Sequence, residues 1–114
     1  MIDHSACFNH AFKHMPDLEI NDISEFLCKY VVPHLDIEKC DERVIVHKQC
    51  KIKSLNKSQY IEDLARLCTD HVFNIKSFAC DGFAGQKGFF TPELNKCATK
   101  DLAAEIAEYG ATLA

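Results

Sequence analysis

The chain has 114 residues, a net charge of −4 from 13 Lys and Arg against 17 Asp and Glu, and 47% hydrophobic residues. That length suits one small domain over residues 1–114, able to bury roughly two thirds of its unfolded surface, and the acidic balance without a basic stripe or interleaved aromatics argues against nucleic acid as a partner. No apolar run approaches the roughly 20 residues that span a bilayer, and no signal-peptide pattern opens the chain, so a cytoplasmic protein with no membrane span is expected.

Seven cysteines are the compositional outlier. An odd count, no secretory signal and spacings unlike a small extracellular scaffold argue against a disulfide framework, leaving thiols that fill the core or bind metal.

In chain order, Met1-Ile2 runs straight into Asp3-His4-Ser5-Ala6-Cys7, which reads as the end of a strand begun elsewhere, in a segment of a longer protein. Phe8 to His14 suits one or two helical turns before Met15-Pro16-Asp17 breaks them. Leu18-Glu19-Ile20 alternates as a short strand does. Asp22 and Glu25 form a capping-box pattern for a helix with Ile23, Phe26, Leu27, Tyr30 and Val31 on one face, ended by Pro33. Cys28 inside it reads as a small apolar filler. Arg43 to His47 is the clearest strand, its β-branched run matching a buried parallel strand. A helix opens at Asn56 or Ser58 and carries Ile61, Leu64, Ala65, Cys68 and Val72 on one face. Phe73 to Phe78 is the next strand, and Leu94, Ala98, Leu102 and Ile106 mark a last helix that Gly110 ends.

Between that strand and the last helix lies Cys80-Asp81-Gly82-Phe83-Ala84-Gly85-Gln86-Lys87-Gly88-Phe89-Phe90-Thr91-Pro92-Glu93-Leu94, with three of the four glycines. Thr91 is placed as an N-cap and Pro92 at the first helical position. The alternation of strand and helix predicts an α/β fold, a mainly parallel sheet of three to four strands with covering helices in a single small domain. Sites in such sheets form at the carboxyl ends of strands, and Cys7, Cys50 and Cys80 each fall just past one, so all three are expected on one rim.

Several chemistries fit that rim. The thiols are idle or buried; or cysteines with His4 or His47 hold zinc, although no Cys-x-x-Cys pair is present; or thiolates from separate segments hold an iron–sulfur cluster, with backbone amides of the glycine turn bonding its sulfurs. Alternatively Gly82, Gly85 and Gly88 before a helix cradle an anion, although the spacing matches no nucleotide fingerprint. Asp81 before Gly82 is also an ordinary turn pair. His47 is a strand-end imidazole bonded to backbone, and Lys100, Asp101, Glu105 and Glu108 form a solvated helix face.

At Cys80 to Phe89, then Pro92-Glu93-Leu94-Asn95 and Ala98-Thr99, the chain resembles the Cys-Cys-Gly-Phe-Ala-Gly-Asp-Arg-Gly-Phe and Pro-Glu-Leu stretch in the C-terminal cysteine-rich domain of FAD-linked, iron–sulfur D-lactate and related D-2-hydroxyacid dehydrogenases. That domain is also seen in heterodisulfide reductases. Asp3-x-Ser5-x-Cys7, Val46-His47-x-x-Cys50 and Cys68 fall where the family has like residues, so the resemblance spans nearly the whole chain.

The resemblance implies an electron-transfer or docking domain that is not catalytic alone. Its partners are the flavin and ferredoxin-like parts of the parent enzyme, with FAD in the absent part. Its location is cytoplasmic, or peripheral to the inner membrane through that enzyme. The implied metal ligands are Cys50, Cys80, Cys7 and Asp81 on an iron–sulfur cluster. Asp81 stands where the family has its second cysteine, and no cysteine pair follows Cys80. The implied site is then incomplete, degenerate, or completed by residues of the parent. A cluster-free structural domain and a zinc module are the alternatives.

Overall fold

The computed structural model describes residues 1–2, 5–77, 80, 82 and 87–113, with backbone alone at 5, 6 and 51. In chain order the elements are α1 (Ser5–His14), α2 (Ile23–Phe26), a π-helical turn (Leu27–Val31), a 3₁₀ turn (Val32–His34), β1 (Val44–Val46), α3 (Cys50–Ser54), α4 (Gln59–Cys68), β2 (Val72–Asn74), α5 (Lys87–Phe90), α6 (Pro92–Ala98) and α7 (Lys100–Tyr109).

The expected three-to-four-stranded sheet is not what forms. Among the described residues there are two strands, β1 and β2, paired in parallel with Val44 opposite Val72, Ile45 opposite Phe73 and Val46 opposite Asn74. Each failed strand has a local cause. The stretch around Cys7 is helical, because Phe8 turns into the core on the first turns of α1 and is 0% exposed. Ahead of it, among the described residues, Ile2 makes one parallel bridge, to Asp22. Leu18 to Ile20 follow a turn in which the Leu18 amide donates to the Met15 carbonyl at 3.1 Å, and Leu18 faces solvent. β2 stops at Asn74 because the amides of Lys76 and Ser77 donate to the Glu105 carboxylate, at 2.9 and 2.8 Å, instead of extending the ladder. Glu105 is therefore not simply part of a solvated face. On the other side of β1, Leu113 adds one parallel bridge to Val44.

Other expectations meet their elements. The Asp22 side chain caps α2, accepting from the amides of Ser24 at 2.7 Å and Glu25 at 3.2 Å. The helix does not keep one period to Pro33: it widens to π geometry over Leu27–Val31, and Pro33 sits inside the following 3₁₀ turn. That widening breaks the apolar face, and Tyr30 is 47% exposed. Gly110 closes α7 in the left-handed conformation, φ +65°. Thr91 precedes α6 without capping it, since its hydroxyl donates backwards to the Lys87 carbonyl at 2.8 Å.

The core is small and lies early in the chain. Phe8, Ile45, Val46 and Ile52 are its buried hydrophobic residues among those described. α4 lies against both strands and against α2, and α1 packs on α3. The molecule is a flattened slab of 40 × 39 × 20 Å with a radius of gyration of 15.7 Å, against about 13 Å for a compact domain of this length. Among the described residues no helix is long and apolar enough to cross a membrane.

Candidate functional site

Cys7 lies on α1 and Cys50 is the first residue of α3. In each case a nearby residue, Phe8 or Ile52, anchors the helix inward, and the cysteine is left exposed. Because α1 packs on α3, these two cysteines sit on neighbouring helices. Cys80 follows β2 and is exposed, and its sulfur accepts the Gly82 amide at 3.5 Å.

Gly82 has φ +71°, and a methyl group there would lie 3.3 Å from Ala98 Cβ and 3.5 Å from the Leu94 carbonyl oxygen. The close approach that requires a glycine is thus to α6, not to an external group. Gly88 is buried inside α5, a helix of one turn. Asp81 and Gly85, two of the residues singled out from the sequence, lie outside the described residues, as does His4.

The structure therefore joins the segments bearing Cys7 and Cys50, while Cys80 belongs to the segment laid on α6. Among the described residues no three His, Cys, Asp or Glu side chains converge on a point where a metal ion could be held. This donor set does not by itself fit an iron–sulfur cluster, which takes four protein ligands. Cys28 is a packing residue: half-buried, it donates to the Tyr60 carbonyl at 3.4 Å, and burial, then the charges of Asp63 and Asp22, push its thiol up.

A charged knot was not visible from spacing alone. Glu25 is 4% exposed and accepts from Lys29 at 2.7 Å and from Lys57. Burial works to raise its pKa, yet the two lysines outweigh burial and hold the carboxyl below its ordinary value. Lys57 also stands over the rings of Phe8 and Phe12, at 5.7 and 5.4 Å. Its carboxylate partner is 32 residues away in sequence, too far for any helical spacing rule to find.

α5 and α6 carry bare apolar surface. Phe89 is 75% and Phe90 80% exposed, with Leu94 beside them in sequence on α6. The whole chain exposes 8006 Å² at 12.9 kDa, where a self-contained protein of that mass exposes about 6300 Å². No family model, no curated protein and no solved structure matches the chain.

Proposed function

We propose that this chain is a cysteine-rich docking and electron-transfer domain of an FAD-dependent, iron–sulfur D-2-hydroxyacid dehydrogenase of the D-lactate type. Cys50, Cys80 and Cys7 would contribute thiols to a cluster site that the flavin or ferredoxin-like part of the enzyme completes. The observation that carries the reading is the stretch from Cys80 to Leu94, whose residue order resembles the family's glycine motif. It is supported by the exposure of all three thiols and by the bare Phe89 and Phe90 in the same stretch. A cluster bound there would supply one-electron transfer; the chain's own part is to present the thiols and to shield the site by docking.

A second reading, a cluster-free domain that only packs on the enzyme, is favoured by the incomplete donor set and by Asp81 in place of a cysteine. Anaerobic purification of the chain together with its flavoprotein partner separates the two. Brown colour and iron in the complex, both lost in Cys50→Ser or Cys80→Ser while the complex still forms, support the cluster. A colourless, iron-free complex supports the packing domain. Zinc in stoichiometric amount, or no complex at all, overturns both.

A further inference from the structure

Cys40 lies between predicted elements and Cys68 on a predicted helix, yet in the fold they meet. Cys40 lies ahead of β1, and Cys68 is the last residue of α4, just ahead of β2. The Cys40 amide donates to the Cys68 carbonyl at 2.8 Å. The Cys40 sulfur reaches the same oxygen at 3.4 Å across a separation of 28 residues, and both cysteines are exposed. By covalent dimensions, an amide and a carbonyl joined at 2.8 Å leave their Cα atoms roughly 5–6.5 Å apart, within the range of roughly 4.4–6.8 Å between Cα atoms that a disulfide bridges.

Further contacts join the two stretches, from Lys39, Asp41 and Glu42 on one to Thr69, Asp70 and His71, all after Cys68, on the other. The Thr69 hydroxyl, fully buried, donates to the Glu42 carbonyl at 2.7 Å and accepts the His71 amide at 3.1 Å. Lys39 pairs with Asp70, and His71 lies 3.1 Å from the Asp41 carboxylate. Closing the bond requires the Cys40 sulfur to leave the Cys68 carbonyl oxygen for the Cys68 sulfur.

The geometry points to a reversible disulfide between Cys40 and Cys68, formed by exchange with a low-molecular-weight disulfide such as oxidised glutathione. One of the two thiolates attacks a sulfur of the external disulfide, making a mixed disulfide and releasing one glutathione thiol. The other thiolate attacks the protein sulfur of that mixed disulfide, closes the Cys40–Cys68 bond and releases the second. The two cysteines lose two electrons, the external disulfide gains them, and both protons end on the released thiols. The bond staples the lead-in to β1 onto the end of α4. It uses neither Cys7, Cys50 nor Cys80, and it stands apart from the proposed cluster.

The test is non-reducing peptide mapping by mass spectrometry of the full chain, reduced and then incubated with oxidised glutathione in native buffer and, separately, in urea. The expected result is a dominant Cys40–Cys68 peptide pair in native buffer, two hydrogens lighter than the separate peptides and released by dithiothreitol, with scattered pairings in urea. In Cys40→Ala the Cys68 peptide stops at the glutathione adduct, and Cys28→Ala leaves the Cys40–Cys68 link in place. Cys40 and Cys68 remaining separately alkylatable, holding glutathione singly, or pairing no more often in native buffer than in urea overturns the inference.

Discussion

Between residues 8 and 52 four hydrophobic side chains are buried, Phe8, Ile45, Val46 and Ile52, whereas no apolar side chain described in α5, α6 or α7 is. The first region encloses a core, small as it is, and adds the Glu25 knot to it. The second is attached along a seam. Tyr109 stacks on Phe73 at 4.5 Å and takes the Arg43 guanidinium on its ring at 4.4 Å. Glu105 holds the amides after β2, with hydrogen bonds from Ser77 and then Lys76 keeping its carboxyl below the ordinary value. Thr112 and Leu113 bond to the Arg43 carbonyl at 2.9 and 3.3 Å. The contrast teaches that, among the described residues, the buried hydrophobic side chains all come from α1, β1 and α3. A segment fastened mainly by edge contacts opens at lower cost than one that carries the core.

The largest effect is expected at Phe8. Phe8→Ala removes a fully buried ring and costs about 4 kcal/mol, enough to unfold most of a marginal domain, as a urea titration followed by circular dichroism will show. A loss below about 1 kcal/mol would erase the difference between the two regions.

Next is Glu25. Its removal leaves two lysines without their carboxylate, and Glu25→Ala costs about 3 kcal/mol, the lower end for breaking a buried pair because both lysines can turn to water. The same group sets an acid limb. Its folded pKa lies below its unfolded one, so its contribution is complete above the unfolded value of about 4.3 and is lost as pH falls through the folded value. Melting temperatures in that window should fall with acid in the native chain and flatten in Glu25→Gln; equal slopes would count against the knot.

Tyr109→Ala tests the seam, and its cost is about 2 kcal/mol from the lost stack and cation contact with part of the ring's burial. Hydrogen exchange should then accelerate in α7 while β1 amides stay protected. Uniform acceleration would mean that the two regions unfold as one. The smallest effect on stability belongs to Phe90→Ser, within about 0.5 kcal/mol because the ring is already in water. If the proposed docking is right, the same variant weakens capture by the flavoprotein partner in a pull-down, and unchanged capture removes Phe90 from that surface.

Much of the local structure is legible in the sequence where a side chain and its own backbone decide it. Asp22 caps, Val44 to Val46 form a strand, and Gly110 turns left-handed, each for a reason that spans only a few residues. The sheet is not legible, because the count of strands depends on distant takers of backbone hydrogen bonds: Glu105 claims the amides that a longer β2 would need. Cys7 reads as a strand end, and the deep seat of Phe8 makes it helical instead. Of the site, the types and exposure of Cys7, Cys50 and Cys80 follow from their neighbours, but their spatial relation depends on tertiary packing. The meeting of Cys40 with Cys68 depends on that packing too, and its offset departs from the ladder's: the Cys40 amide bonds a carbonyl 28 residues on, whereas the Val44 amide bonds that of His71, 27 residues on.

The widened turn at Leu27–Val31 bears on how this chain tolerates insertion and deletion. A π turn carries one residue more than its α-helical equivalent, so it is the natural place for a length change to be absorbed without loss of the flanking segments. Removing one residue there restores the ordinary winding and shifts the residues inside the turn by about 100° against their neighbours. A one-residue deletion there would then change how Tyr30 meets the Phe26 ring, now 5.2 Å away.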